Sequence, residues 1–92
     1  MKVRVRYYGI VHDMVGARTE SFNLQTPPKL IDLLREIVEK YPELERMMFN
    51  GEAFRDYLAV SVNNVDIMSL QGVDTMLRDG DQVFLMPPIG GG

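Results

Sequence analysis

From Leu30 to Tyr41 the apolar residues Leu30, Leu33, Leu34, Ile37, Val38 and Tyr41 recur at intervals of three and four. That spacing sets all six on one face of an α-helix, with Asp32, Arg35, Glu36, Glu39 and Lys40 on the wet face. A helix with one long apolar stripe must bury it against a second layer. The flanking segments supply that layer. Residues 2–8 alternate strictly, with Val3, Val5 and Tyr7 on one side and Arg4, Arg6 and Tyr8 on the other. Residues 58–62 (LAVSV) alternate again, and Val83-Phe84-Leu85-Met86 is a continuous apolar run. Residues 18–24 read as a weaker strand with Phe22 and Leu24 inward, pairing with the first as an antiparallel hairpin. The long connection between them, Gly9 to Gly16, reads as a loop holding His12 and Asp13. The expected architecture is α+β, one main helix on a small mixed sheet.

Boundary residues sharpen this outline. Thr26 suits the N-cap of the helix and Pro27 its first position, where no N–H is needed. Pro42 ends it at or before Tyr41. Glu36 and Lys40 stand four apart in the favourable order, worth about 0.3 kcal/mol. In residues 43–57, Leu44, Met47, Met48 and Phe54 outline a short second helix broken at Asn50-Gly51, the methionines filling gaps in a small core. Asn63-Asn64 marks a turn before a short return or edge strand, Val65-Asp66-Ile67. Gln71-Gly72 is a break. Arg78-Asp79-Gly80-Asp81 is a tight turn whose aspartates bond nearby backbone rather than a metal, since no further ligand type stands near. In the last strand Val83 and Leu85 face the core. Phe84 and Met86 face the other way, as a docking surface or under cover from residues 43–57.

The 92 residues make one small domain, and 46% hydrophobic with 25% charged residues is ordinary for a globular chain. With no cysteine, disulfides, thiolate catalysis and cysteine-ligated metal are excluded. A net charge of −3 argues against nucleic-acid binding, and the short Lys2, Arg4, Arg6 row reads as a solvated face. No run of eighteen apolar residues spans a membrane, and the N-terminus lacks the pattern of a signal peptide, so a cytoplasmic location is expected. There is no phosphate-binding Gly-x-x-x-x-Gly-Lys, no dinucleotide fingerprint and no nucleophile motif. His12, the single histidine, reads as a surface residue rather than a base.

The last strand runs into Pro87-Pro88-Ile89-Gly90-Gly91-Gly92. Two prolines stop further sheet pairing, and three glycines leave a thin chain end. Extended at roughly 3.3 Å per residue, six residues reach about 20 Å. Terminal glycines are often merely frayed. Standing abruptly after a strand and Pro-Pro, these read instead as an arm, residues 87–92, on a domain of residues 1–86. The arm presents the Gly92 carboxylate, which is ionised near neutral pH and unreactive until activated.

The segment Leu77-Arg78-Asp79-Gly80-Asp81-Gln82-Val83, followed by Pro87-Pro88-Ile89-Gly90-Gly91-Gly92, resembles the C-terminus of the MoaD/ThiS sulfur-carrier family. Val5-Arg6-Tyr7-Tyr8-Gly9 with Gly16 is similar to that family's first strand and loop, and Val62-Asn63 to its mid-chain strand end. Pro-Pro before a small apolar residue looks more like the molybdopterin synthase branch (MoaD) than the thiamine branch (ThiS). Departures are His12-Asp13 where many members have Arg-Glu, Gly90 where many have Ala, and a longer segment 43–57.

The resemblance implies a ubiquitin-like β-grasp fold and a carrier with no catalytic site or bound cofactor of its own. An E1-like adenylating partner (MoeB-like) would use ATP to activate Gly92, and sulfur would replace the adenylate to give a thiocarboxylate. The arm would then enter a MoaE-like large subunit and donate sulfur in molybdopterin synthesis. Gly92 would supply the reacting group. Phe84, Met86, Pro87, Pro88, Ile89, Gly90 and Gly91 would meet the partner. Rival readings are sulfur carriage for thiamine or tRNA thiolation, a ubiquitin-like modifier joined to lysines through Gly92, and a plain interaction module.

Overall fold

The computed structural model describes residues 1–25, 28–54 and 58–87. The strictly alternating segment forms β1 (Lys2–Tyr7), with Val3, Val5 and Tyr7 buried and the basic residues between them exposed. It is flanked by β2 (Thr19–Asn23), antiparallel, and by the last strand of the chain (Gln82–Met86), parallel. That last strand also pairs antiparallel with Ala59–Val62, which carries a two-residue edge strand, Val65–Asp66. Asn63 and Asn64 join these two at φ of 50° and 68°, the left-handed geometry that asparagine tolerates.

The apolar stripe forms α2 (Leu30–Lys40), and Leu30, Leu33, Leu34 and Ile37 are wholly buried with Val3, Val5, Val83 and Leu85. The helix begins later than expected. Lys29 is its N-cap, and the Asp32 carboxylate accepts from the Lys29 N–H at 2.8 Å. The preceding residues are engaged otherwise: Leu77 N–H donates to Pro28 O at 3.0 Å, and Leu30 N–H to Thr75 O at 2.8 Å. This extended ladder competes with helix for the backbone there. Thr26 and Pro27 lie outside the described residues.

Three connections depart from expectation. Gly9 to Gly16 is not a loop: α1 (Gly9–Val15) occupies it, closed by Gly16 at φ 82° with its N–H on His12 O at 2.8 Å. Val11 is fully buried and docks the helix. Residues 42–54 form a 3₁₀ turn (Pro42–Leu44), then α3 (Glu45–Met48), then a hairpin of β3 (Phe49–Asn50) and β4 (Ala53–Phe54). Leu44, Met48 and Phe49 enter the core, so this segment enlarges the helix side of the sheet and does not cover its outer face. The Gln71-Gly72 break lies between two 3₁₀ turns, Ile67–Ser69 and Gly72–Asp74.

With Ala59–Val62 as β5, Val65–Asp66 as β6 and Gln82–Met86 as β7, the main sheet runs β2-β1-β7-β5-β6. Lys40 pairs not with Glu36 but with Glu20 on β2. Glu20 Oε1 also accepts the hydroxyls of Tyr7 at 3.0 Å and Tyr41 at 2.9 Å, which ties β1, β2 and the end of α2 together. Burial, and Tyr41 beside it, push the Tyr7 hydroxyl pKa well above the usual phenol range. No helix among the described residues is long and apolar enough to cross a membrane.

Candidate functional site

The site is the end of β7 and the sheet face beside it. The strand is held at its start by the Asp79-Gly80-Asp81 turn. Asp79 Oδ1 accepts the Lys2 N–H at 2.7 Å, and Gly80 N–H donates to Lys2 O at 2.8 Å. Asp81 accepts the Arg78 N–H at 2.8 Å and the Asn63 side-chain amide at 2.9 Å. Asn63 Oδ1 in turn accepts the Gln82 N–H at 3.0 Å. Both aspartates are therefore spent on backbone and on Asn63, as expected. They lock β7 in register between β1 and β5.

At the other end of β7 the chain leaves the sheet at Pro87. The Tyr8 N–H donates to Leu85 O at 3.0 Å and brings Gly9 against Pro87. Gly9 has φ +57°, and a Cβ there would meet Pro87 Cγ at 2.7 Å, so glycine is required twice over. The remaining arm residues expected at the site, Pro88, Ile89, Gly90, Gly91 and Gly92, lie outside the described residues.

Phe84 lies on the outer face of the sheet, as the alternation requires, but only 9% of it is exposed. Its partner is Tyr8, packed edge-on with ring centroids 6.0 Å apart, and the Arg6 guanidinium stands 5.7 Å from the Tyr8 centroid. Another molecule would thus meet Tyr8, 37% exposed, and the half-buried Met86 and Pro87 more than Phe84 itself. A groove of about 650 Å³ runs over this face between Arg6, Tyr8, Ala59, Ser61, Phe84 and Met86, with Asn64, Asp66 and Gln82 completing its lining. The sequence reading missed Tyr8 and Ser61. The alternation of β1 places Tyr8 outward. Only the β1–β7 register, Arg6 opposite Phe84, brings it over the last strand.

His12 lies on α1 with Nδ1 3.2 Å from Asp13 Oδ1, both at the surface. Among the described residues no three His, Cys, Asp or Glu side chains gather to hold a metal. A face carrying Tyr8, Phe84 and Met86, flanked by Arg6, Ser61, Asn64, Asp66 and Gln82, offers an apolar centre with a polar rim for contact with another molecule.

A five-stranded mixed sheet crossed by one main helix, with the last strand central and running out to the C-terminal arm, defines a ubiquitin-like β-grasp protein. Residues 5–92 match the model of the ThiS family, and the chain belongs to that family. It is similar to small archaeal modifier protein 3 of Haloferax volcanii, 25% identical over the whole of both chains. It is also similar to the molybdopterin synthase sulfur carrier subunit of Chlamydomonas reinhardtii, 27% identical over the whole of both. The solution structure of small archaeal modifier protein 1 from Methanosarcina acetivorans superposes with a TM-score of 0.85 at 24% identity, covering 99% of this chain and 96% of that one.

Proposed function

We propose that the chain is a sulfur carrier of the molybdopterin branch, acting in the cytoplasm on a partner's ATP and binding no cofactor itself. An E1-like, MoeB-like enzyme transfers AMP from ATP to the Gly92 carboxylate and releases pyrophosphate. Sulfur then displaces AMP, which leaves a thiocarboxylate. Adenylation makes a stable carboxylate electrophilic and divides one hard substitution into two easier ones. The arm enters a MoaE-like subunit, where the sulfur passes to the precursor of molybdopterin. The observation that carries this reading is the run of β7 into Pro87-Pro88-Ile89-Gly90-Gly91-Gly92, beside a groove lined by Tyr8, Phe84 and Met86. Similarity over the full chain to a molybdopterin synthase sulfur carrier subunit supports it.

The test is an intact mass after co-expression with the E1-like enzyme and a sulfur donor. The expected result is one oxygen exchanged for sulfur, localised to Gly92. An unmodified terminus with an active partner would overturn the reading. Gly91→Val is expected to leave the fold intact and abolish sulfur transfer, because a β-branched side chain widens the arm where it must thread.

The similarity over the full chain to an archaeal modifier protein favours a second reading, isopeptide attachment of Gly92 to lysines. Lysine-linked adducts in a digest of cells expressing the tagged chain would favour it over sulfur carriage.

A further inference from the structure

A second recess, of about 220 Å³, opens on the other side of Tyr8 and Gly9 and is lined by Arg6, Tyr7, Tyr8, Gly9, His12 and Arg18. It draws Arg6 from β1, His12 from α1 and Arg18 from the turn into β2. The structure holds them there by backbone bonds. Tyr7 N–H donates to Arg18 O at 2.8 Å, and Gly16 N–H to His12 O at 2.8 Å. Among the described residues neither Arg6 nor Arg18 forms an ion pair; the carboxylates bonded to lining residues are Asp13, on His12, and Glu20, on the Tyr7 hydroxyl. Two unpaired guanidinium groups around one recess, in a chain of net charge −3, make a local positive site on an acidic molecule.

We propose that this recess clamps a carboxylate-bearing segment of the protein that receives the arm. The inference rests on the reading that the arm is delivered to a partner, and it names a surface and its chemistry. Three observations favour an acidic segment. The recess shares Arg6 and Tyr8 with the outer-face groove, so a protein lying in the groove reaches the recess. It adjoins Gly9, against which Pro87 packs, so an anion held there sits at the root of the arm. Planar guanidinium forks match carboxylates in bidentate geometry. An acidic partner is repelled by the acidic parts of this surface and drawn to the basic side of β1, where Arg6 stands in line with the exposed Lys2 and Arg4. Its approach is therefore oriented so that the arm points at the entrance it must use.

The test is an NMR titration of the full chain with acetyl-hexaglutamate amide at low salt, read on the backbone amides of residues 6–18 and the arginine side-chain N–H signals. Acetyl-hexaglutamine amide and inorganic phosphate serve as the comparison probes. Shifts confined to the recess with the glutamate peptide, absent with the glutamine peptide, are expected. Arg18→Gln, an exposed position outside the groove, should weaken that binding about fivefold, the upper range for one exposed ion pair, with the rest of the spectrum unchanged. Shifts scattered over the molecule, equal binding by Arg18→Gln, or a response to phosphate without a response to the peptide would each overturn the proposal. Because no activation of Gly92 is involved, these outcomes are independent of the carrier chemistry.

Discussion

Three residues show how single positions set local geometry and stability. Gly9 combines a positive φ with a gap that Pro87 fills, so Gly9→Ala must either strain the backbone or displace the arm. A loss of about 1–2 kcal/mol from the left-handed conformation alone is expected in urea unfolding, with slower activation of Gly92 in addition. Asp81 satisfies a backbone N–H and the Asn63 amide together. Asp81→Ala hands two exposed donors at the start of β7 to water and should cost about 0.5–1.5 kcal/mol per lost bond by the same measurement. Among the described residues Tyr7 is one group that links stability to pH. Its folded-state pKa lies above the unfolded value of about 10, so the native state keeps its proton where the unfolded chain has lost it. Stability is therefore full below pH 10 and declines as pH rises beyond it. Tyr7→Phe should flatten that alkaline decline, read as unfolding midpoints between about pH 9 and 12.

Among the elements, α1 and α2 hold the sheet by different means. α2 buries an unbroken stripe of five residues, while α1 is seven residues long and buries Val11 alone. A helix that short has little stability of its own and depends on the docking of Val11, with the partly buried Met14 and Val15 beside it. Amides of α1 should therefore exchange with solvent at a lower opening free energy than those of α2, which should open only with the whole domain. Native-state hydrogen exchange reads the difference directly, and equal protection in the two helices would contradict it. Since α1 carries His12 and begins at Gly9, its opening would loosen the root of the arm without unfolding the core. The hairpin of β3 and β4 is anchored otherwise: Arg35 lies 4.0 Å over the Phe49 ring and donates to Glu52 O at 2.6 Å.

At the scale of the molecule, the first and last strands are paired in parallel at the centre of the sheet. The strand that leads to the C-terminal residues is thus the one the fold can least spare. Leu85 is wholly buried, and Leu85→Ala should cost about 2–5 kcal/mol in urea unfolding.

The periodicity of residues 30–41, the alternation of residues 2–8 and the asparagine, aspartate and glycine turns were enough to define the α+β class, the main helix and the buried faces. Each of these follows from the local rise and twist of the chain, which successive residues carry by themselves. α1 was also written in the chain, as Ile10, Val11, Met14 and Val15 at helical spacing with Gly16 behind them, but two glycines at its ends gave it the appearance of a loop. Tertiary structure decided the rest, because it depends on residues far apart in sequence. The late start of α2 came from the 28–30 ladder with 75–77, and the transfer of Lys40 from Glu36 to Glu20 came from β2 lying beside the helix end. The covering of Phe84 by Tyr8 and the gathering of Arg6, His12 and Arg18 about one recess have the same origin. A side chain's neighbours across a sheet are set by strand order and register, and neither is a property of any one segment.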